Sequence, residues 1–377
     1  MGAEFVAETM DDLCAAMCDN VVPQIKPKKS FLYDESKSPE GMISVSQLQT
    51  FLSCRKKWEY NYIQNLKPRV ERSYLTIGKL CHRGMQVAMQ TAWSEQKIGR
   101  WQDWRDKGLK AMQEMWDEYM HNTPLLDEEL PDMEQMIKDA QSIFTQAFYE
   151  FEPWKYEVLT VEKDSEKIPA LELHFRVPCL PTEGLHGFID AILRDKETGF
   201  VWCVDYKFRK SLSPDEEEAF NIQNAVYAYA CRRLGIDITG TMTWQHVNTP
   251  AADPKINKDG TISTAKIKTT WEHYEQFCKD HGQDPQDYFL EMEEKLRDIE
   301  WFRATLEYRN EHTIDRIWNE CVAPIAAEIK EAYKIYRPRS LYPWNCKMCQ
   351  YQSLCQAELR DYDVEAIKQR EYTVRDR

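Results

Sequence analysis

At 377 residues, 42% of them hydrophobic and 30% charged, the chain is long enough for one large domain or two ordinary ones, and its balance is that of a soluble globular protein. No stretch approaches the roughly 18 apolar residues that a bilayer-spanning helix needs, and the N-terminus lacks a charged-then-apolar signal pattern, so an intracellular protein is expected. A net charge of −14 argues against non-specific coating of nucleic acid, but not against a site whose own carboxylates gather cations.

In chain order, residues 1–42 read as a loosely ordered leader, with prolines and lysines between Pro23 and Tyr33. Ser46 with Gln49 predicts a capping box opening a helix that runs to about Leu66. Helices follow over about Ile77–Lys97, Trp101–His121 and Glu129–Phe151. The texture then changes to strand alternation over Tyr156–Lys163 and Leu171–Val177. A hairpin comes next, His186–Arg194 and Phe200–Phe208 around Asp195-Lys196-Glu197-Thr198-Gly199. Ala219–Leu234 is helical with Gly235 as its stop, and Thr239–Val247 is another strand. Residues 249–298 read as a polar loop and a helical insertion, Glu300–Arg309 as a strand, and Ile314–Tyr336 as a long helix. A compact cysteine-bearing tail and a charged segment, 361–377, close the chain. There are no internal repeats. The expected architecture is an α/β fold, a mixed sheet core flanked by helices, with a helical insertion over about 43–152.

The hairpin carries the chemistry. One strand holds Gly187-Phe188-Ile189-Asp190 and the other Val204-Asp205-Tyr206-Lys207. Residues two apart on a strand share a face, so Asp205 and Lys207 lie together and the hairpin can bring Asp190 beside them. Two converging carboxylates make a hard oxygen site suited to Mg²⁺ or Mn²⁺, and a lysine beside them can position water and offset phosphate charge. A lone Asp-x-Lys means little. Its setting in the apolar strand Val201, Cys203, Val204 raises its weight, because charges there are costly without partners. Three further features arrive in order: His82 early on a helix in Gly78-Lys79-Leu80-Cys81-His82, Gln223 and Tyr227 one helical turn apart, and a split set of cysteines.

Taken together, Gly-x-x-x-His, Gly-x-x-Asp, Asp-x-Lys and Gln-x-x-x-Tyr resemble the RecB-like branch of the PD-(D/E)xK nucleases. The resemblance spans about Ile43 to Leu359, with 100–150 and 249–298 as insertions. It implies a restriction-endonuclease-like core in which Asp190, Asp205 and His82 bind Mg²⁺ or Mn²⁺, Lys207 is the catalytic lysine, and Gln223 and Tyr227 orient the site or the strand. The family often adds a Glu on an earlier strand; Glu157 and Glu162 are both candidates. The activity implied is that of a DNA exonuclease or end-processing nuclease in recombination, repair or defence, in the cytoplasm of a bacterium or of a virus-infected host. A partner-activated or non-catalytic DNA-binding subunit and a sequence- or structure-specific endonuclease are the rivals. No Walker motif is present, so any helicase motor would belong to a partner.

Of the twelve cysteines, Cys81, Cys179, Cys203, Cys231, Cys278 and Cys321 read as buried structural thiols, and Cys14 and Cys18 as poor ligand candidates. Cys54, Cys346, Cys349 and Cys355 can hold a 4Fe–4S cluster or a structural zinc. Their one-plus-three arrangement is similar to that of the iron–sulfur nucleases of this branch, such as the AddB-type enzymes and the CRISPR-associated exonucleases, which favours iron–sulfur in a structural role. Arg55, Lys56, Lys57, Trp58, Tyr60 and Tyr62 after Cys54, with Arg337 and Arg339 before Cys346, suit either a single-stranded DNA path or a solvated helix face with core aromatics.

Overall fold

The computed structural model describes residues 42–95, 101–123, 130–163, 165–180, 183–332 and 337–375; the leader, with Cys14 and Cys18, lies outside them. Strand β1 (Met42–Ser44) leads into helix α1 (Val45–Ser53), capped by Ser44, whose Oγ accepts the Gln47 N–H at 3.1 Å. The cap therefore sits two residues before the expected Ser46. Nor does the helix reach Leu66. Cys54 is extended, with φ −165°, and separates α1 from a short turn, Arg55–Trp58, and a wider one, Glu59–Ile63. Strand β2 (Leu66–Pro68) follows, then three long helices: α2 (Ser73–Glu95), α3 (Trp101–Asn122) and α4 (Leu130–Phe151).

The next strands are β3 (Tyr156–Val158), β4 (Thr160–Lys163), β5 (Glu166–Pro169), β6 (Leu171–Leu180), β7 (Glu183–Asp195) and β8 (Val201–Arg209). Helix α5 (Ile222–Arg233) crosses to β9 (Gly240–Val247), which pairs parallel with β8, and β10 (Phe302–Tyr308) pairs antiparallel with β9. Gly235, at φ +72°, ends the turn after α5 in a conformation that favours glycine. The register places β3 and β6 on one edge of β7, and β1 and β8 on the other. Strands β4 and β5 form a separate ribbon.

Each face of the sheet has its own core. Trp202, Val204, Tyr206 and Phe208 of β8 pack with Met242 and Trp244 against α2, α3 and α4. The expected helical insertion is thus the layer that covers this face. Cys203 and the inner residues of β6 face α1, α5 and the run that ends in α6 (Ala323–Ala332). That run is helical without a break over Glu311–Ala332, with a π-bulge at Trp318–Val322 between Glu311–Ile317 and α6. The α2–α3 crossing depends on glycine. A Cβ on Gly108 would meet the Phe144 ring at 2.6 Å and the Gly84 carbonyl at 2.8 Å.

Residues 249–298 contain two helices, Trp271–Asp280 and Phe289–Leu296, around a small core of Ile262, Tyr274, Cys278 and Met292. At the chain's end, the expected charged tail is structured. Helix Val364–Glu371 leads into β11 (Tyr372–Val374), which pairs with β2, and Tyr372 stacks on Tyr351 at 5.5 Å.

Candidate active site

The β7–β8 ladder runs from Arg194↔Val201 to Ala191↔Val204 and stops. The next pair would set Asp190 against Asp205. Here the strands part, β1 takes over the edge of β7 at Gly184–His186, and Asp190 Oδ2 accepts the Tyr206 N–H at 2.8 Å. A side chain thus replaces a ladder partner, and both acids sit at the fork.

A second irregularity lies level with the first. Strands β6 and β7 keep register as Leu171↔Ala191 and Leu173↔Ile189. Yet Leu171 and Ala191 pack on the α2–α4 side, while Leu173 and Ile189 pack on the opposite one. The alternation slips at Glu172 and Asp190, and Glu172 takes φ +45°, which a glutamate rarely adopts. Such slips re-aim side chains at sheet sites. Ligand atoms of His82, Glu172 and Asp190 all lie within 4.8 Å of one another, with His82 Nδ1 3.4 Å from Asp190 Oδ2.

Asp205 is 1% exposed. Its Oδ1 accepts from Lys207 Nζ at 2.8 Å; its Oδ2 lies 2.7 Å from the same nitrogen but accepts no aligned hydrogen bond. Burial raises the Asp205 carboxyl, Lys207 opposes the rise, and the Asp190 charge adds to it. The Gln223 amide closes the network. Its Nε2 donates to Asp205 Oδ1 at 3.2 Å and to the Tyr227 hydroxyl at 2.7 Å, and its Oε1 accepts from Lys207 at 3.1 Å and from Gln49 at 3.3 Å. Asn221 caps α5 by accepting the Gln223 and Asn224 N–H groups, which fixes the end that carries Gln223.

An imidazole nitrogen with several carboxylate oxygens is a donor set for Mn²⁺ or Mg²⁺. The residues present fit such an ion, since a buried carboxylate oxygen without an aligned donor is costly unless a cation or donor satisfies it. An open cleft of about 1,070 Å³ leads to these groups, with Lys79, Arg83, Lys207, Arg209 and Lys210 on its walls. Gly78, one turn before His82, leaves the cleft wide: a Cβ there would meet nothing within 4 Å. Gly187 is constrained differently, because a Cβ would meet Phe175 and Val45 at 2.9 Å.

The early-strand acid is neither residue named from the sequence. Glu157 pairs with Arg194 at 3.8 Å near the surface, and Glu162 is exposed on the β4–β5 ribbon. Glu172 joins the trio instead. It was hidden because Leu171-Glu172-Leu173-His174-Phe175 reads as plain alternation with its polar residues turned away from the core.

Cys54, Cys346, Cys349 and Cys355 line one cavity of about 190 Å³. Cys349 Sγ accepts the Tyr351 N–H at 3.4 Å, and Cys355 Sγ accepts from Arg339 Nε at 3.3 Å. Burial pushes the Cys349 thiol up, and Cys54 and Cys355 add to the rise. Arg72 donates to the carbonyls of Met348 at 3.2 Å and Cys349 at 2.9 Å, tying this tail to the start of α2, the helix that carries His82. Of the isolated cysteines, Cys81, Cys179, Cys203, Cys231 and Cys278 are buried, and Cys321 is exposed.

Of the two readings of the segment after Cys54, the geometry has the core aromatics of the second. Trp58 is 0% exposed, packed edge-on with Phe51, and Tyr60 is buried as well, so neither offers a face to a base. Arg55 pairs with Glu328, Lys56 with Glu59 at 3.0 Å and Glu358 at 3.2 Å, Arg337 with Glu59 at 3.5 Å, and Arg339 with Glu358. Lys57 lines the cysteine cavity. These cations and their glutamates form a belt beside the cysteines.

A family model described as the PD-(D/E)XK nuclease superfamily matches residues 42–356, a span that includes the strand fork and all four cysteines. The chain belongs to the PD-(D/E)XK nuclease superfamily. No curated protein matches it. Superfamily members are typically metal-dependent phosphodiesterases, and the family implies DNA as substrate and divalent Mg or Mn as cofactor. Among the described residues, no helix is long and apolar enough to cross a membrane.

Proposed function

We propose that this chain is a DNA exonuclease or end-processing nuclease of the RecB-like branch, acting on single strands or frayed ends in recombination, repair or defence. The observation that carries the reading is the fork between β7 and β8, which gathers Asp190, Asp205 and Lys207 beside His82 and Glu172. In this reading Asp190 and Asp205-Tyr206-Lys207 are the signature for which the superfamily is named. His82, Glu172, Asp190 and Asp205 hold the divalent ion. When bound, it would supply water activation and charge neutralisation at the scissile phosphate. Lys207, fixed between Asp205 and Gln223, presents its remaining N–H to a phosphate oxygen or to the attacking water. Gln223 and Tyr227 keep that ammonium in place from α5.

The four cysteines hold a structural 4Fe–4S cluster. The one-plus-three arrangement, with Cys54 nearly the whole chain away from the other three, favours the cluster over zinc, whose modules usually draw on two local pairs. Any ATP-driven unwinding comes from a helicase partner, since the chain has no Walker motif.

The test is cleavage of single-stranded DNA labelled separately at each end, with Mg²⁺ or Mn²⁺, using protein purified without air. Wild type is expected to degrade the strand in a metal-dependent way, Lys207→Ala to lose cleavage, and a closed circular strand to resist. Equal activity of Lys207→Ala, or an inert metal-loaded wild type, overturns the reading; cleavage of the circle replaces the exonuclease with an endonuclease.

A further inference from the structure

The sheet face that carries Glu172 and Asp190 continues beyond them. Up to Ile189, the odd residues of β7 face the α1–α5 core, so His186, Phe188 and Asp190 share the other face. Across the ladder, His174 stands opposite Phe188 and Arg176 opposite His186. Three cross-strand levels thus run outward from the trio: Glu172 with Asp190, His174 with Phe188, Arg176 with His186. Successive levels are about 6.7 Å apart, within reach of one extended nucleotide.

Phe188 is unusual on this stripe. It is 42% exposed, while His174 beneath it is buried and stacked flat on its ring, at 4.4 Å and 13°. His174 is itself held by a contact of 3.3 Å between its Nε2 and His186 Nδ1. A large apolar ring shown to solvent, with its orientation fixed from behind and one level from the trio, is built to receive another flat ring.

We propose that Phe188, backed by His174, is a stacking platform for the base next to the scissile phosphate, and that it selects an unpaired strand. The inference rests on the nuclease reading above and names its substrate class. Continuity with the cation site identifies the occupant as the nucleic acid held there. A base inside a duplex has both faces covered by its neighbours, whereas the bases of an unpaired strand can unstack and lie on the Phe188 ring. Stacking of this kind tolerates every base and adds affinity without sequence preference.

The experiment uses the full chain with Mn²⁺ and single-stranded oligonucleotides carrying one abasic nucleotide, scanned from the end. In wild type, one scan position should lower kcat/KM by about fivefold or more. Phe188→Ala should lower kcat/KM on the intact strand by a similar factor, through KM, and remove the dip in the scan. Phe188→Trp should restore both. The base and the ring then behave as one interaction, which a merely structural role for Phe188 would not reproduce. A scan whose dip survives Phe188→Ala overturns the platform and leaves the nuclease reading standing. A metal-loaded wild type that cleaves no strand overturns both.

Discussion

Glu172 and Asp190 keep the phase of His174 and Phe188, and the strands change phase on their other side, at Leu171 and Ala191. Glu172 carries φ +45° at that step, and both acids meet His82. Strain of this kind costs on the order of 1–3 kcal/mol and persists where the surroundings demand it. Glu172→Gln is expected to weaken Mn²⁺ binding at least about tenfold by calorimetry, whereas Glu157→Gln, at a surface ion pair, leaves it unchanged. The reverse result would return the early-strand role to Glu157. Asp190, Asp205 and Lys207 were legible because a spacing of two on an apolar strand has one structural meaning. Glu172 was not, because sequence alternation carries no mark of a positive φ. The choice between a DNA path and a packed face after Cys54 was not legible for another reason: Glu328 and Glu358, the partners of Arg55 and Lys56, lie far along the chain.

Among the elements, α2 does two jobs, and its glycines separate them. Gly84 lies against Gly108 of α3 beneath the Phe144 ring, whereas Gly78 looks into open cleft. An alanine inside a helix is favoured over glycine by up to about 1 kcal/mol, provided the methyl has room. Gly78→Ala should therefore leave the midpoint of urea unfolding unchanged or slightly higher. Gly108→Ala must push Phe144 or the Gly84 carbonyl aside and should lose about 1–3 kcal/mol. Equal midpoints for the two variants would show that the helices reseat freely. The bounds of α3 and α4 were legible to within a residue or so from their period. Their role was not: whether helices decorate a sheet or cover it depends on which strand residues face them, here Trp202, Val204 and Tyr206. The break at Cys54 was equally invisible, since Val45 to Ile63 reads as one helical run.

For the molecule as a whole, one buried histidine and one half-buried histidine set an acid limit. Burial first, then nearby positive groups, push His186 and His246 down to about 4, with a carbonyl contact to Val247 partly offsetting the fall at His246. Unfolded, each takes up a proton near the ordinary histidine value of 6.5. The unfolded state thus binds more protons between those values, so stability is full above about pH 6.5 and falls as pH drops towards 4. The slope is at most about 1.4 kcal/mol per pH unit for each group, and less for the partly exposed His186. His246→Phe should flatten this loss in denaturation curves recorded from pH 7 to 4.5; an unchanged slope would assign the acid sensitivity elsewhere. At the same scale, the proposed ligand set predicts that Cys54→Ser empties the cysteine cavity of metal and lowers the thermal midpoint by about 3–5 °C. Cys321→Ser, at an exposed thiol outside the cavity, should do neither. Retained metal in Cys54→Ser would remove Cys54 from the ligand set.

The cavity also has a history in the life of each molecule. Cys54 leaves the ribosome early and its three companions late, so at ordinary elongation rates the first thiol waits on the order of tens of seconds for the others. Until then Tyr60 and Leu66 of β2 lack Tyr351, Leu354 and Tyr372, which complete their small core. A product released before Cys355 therefore keeps the acids of the strand fork but lacks the seal, and it exposes apolar surface to proteases. Closure of this cavity therefore waits on the segment that carries Cys346, Cys349 and Cys355.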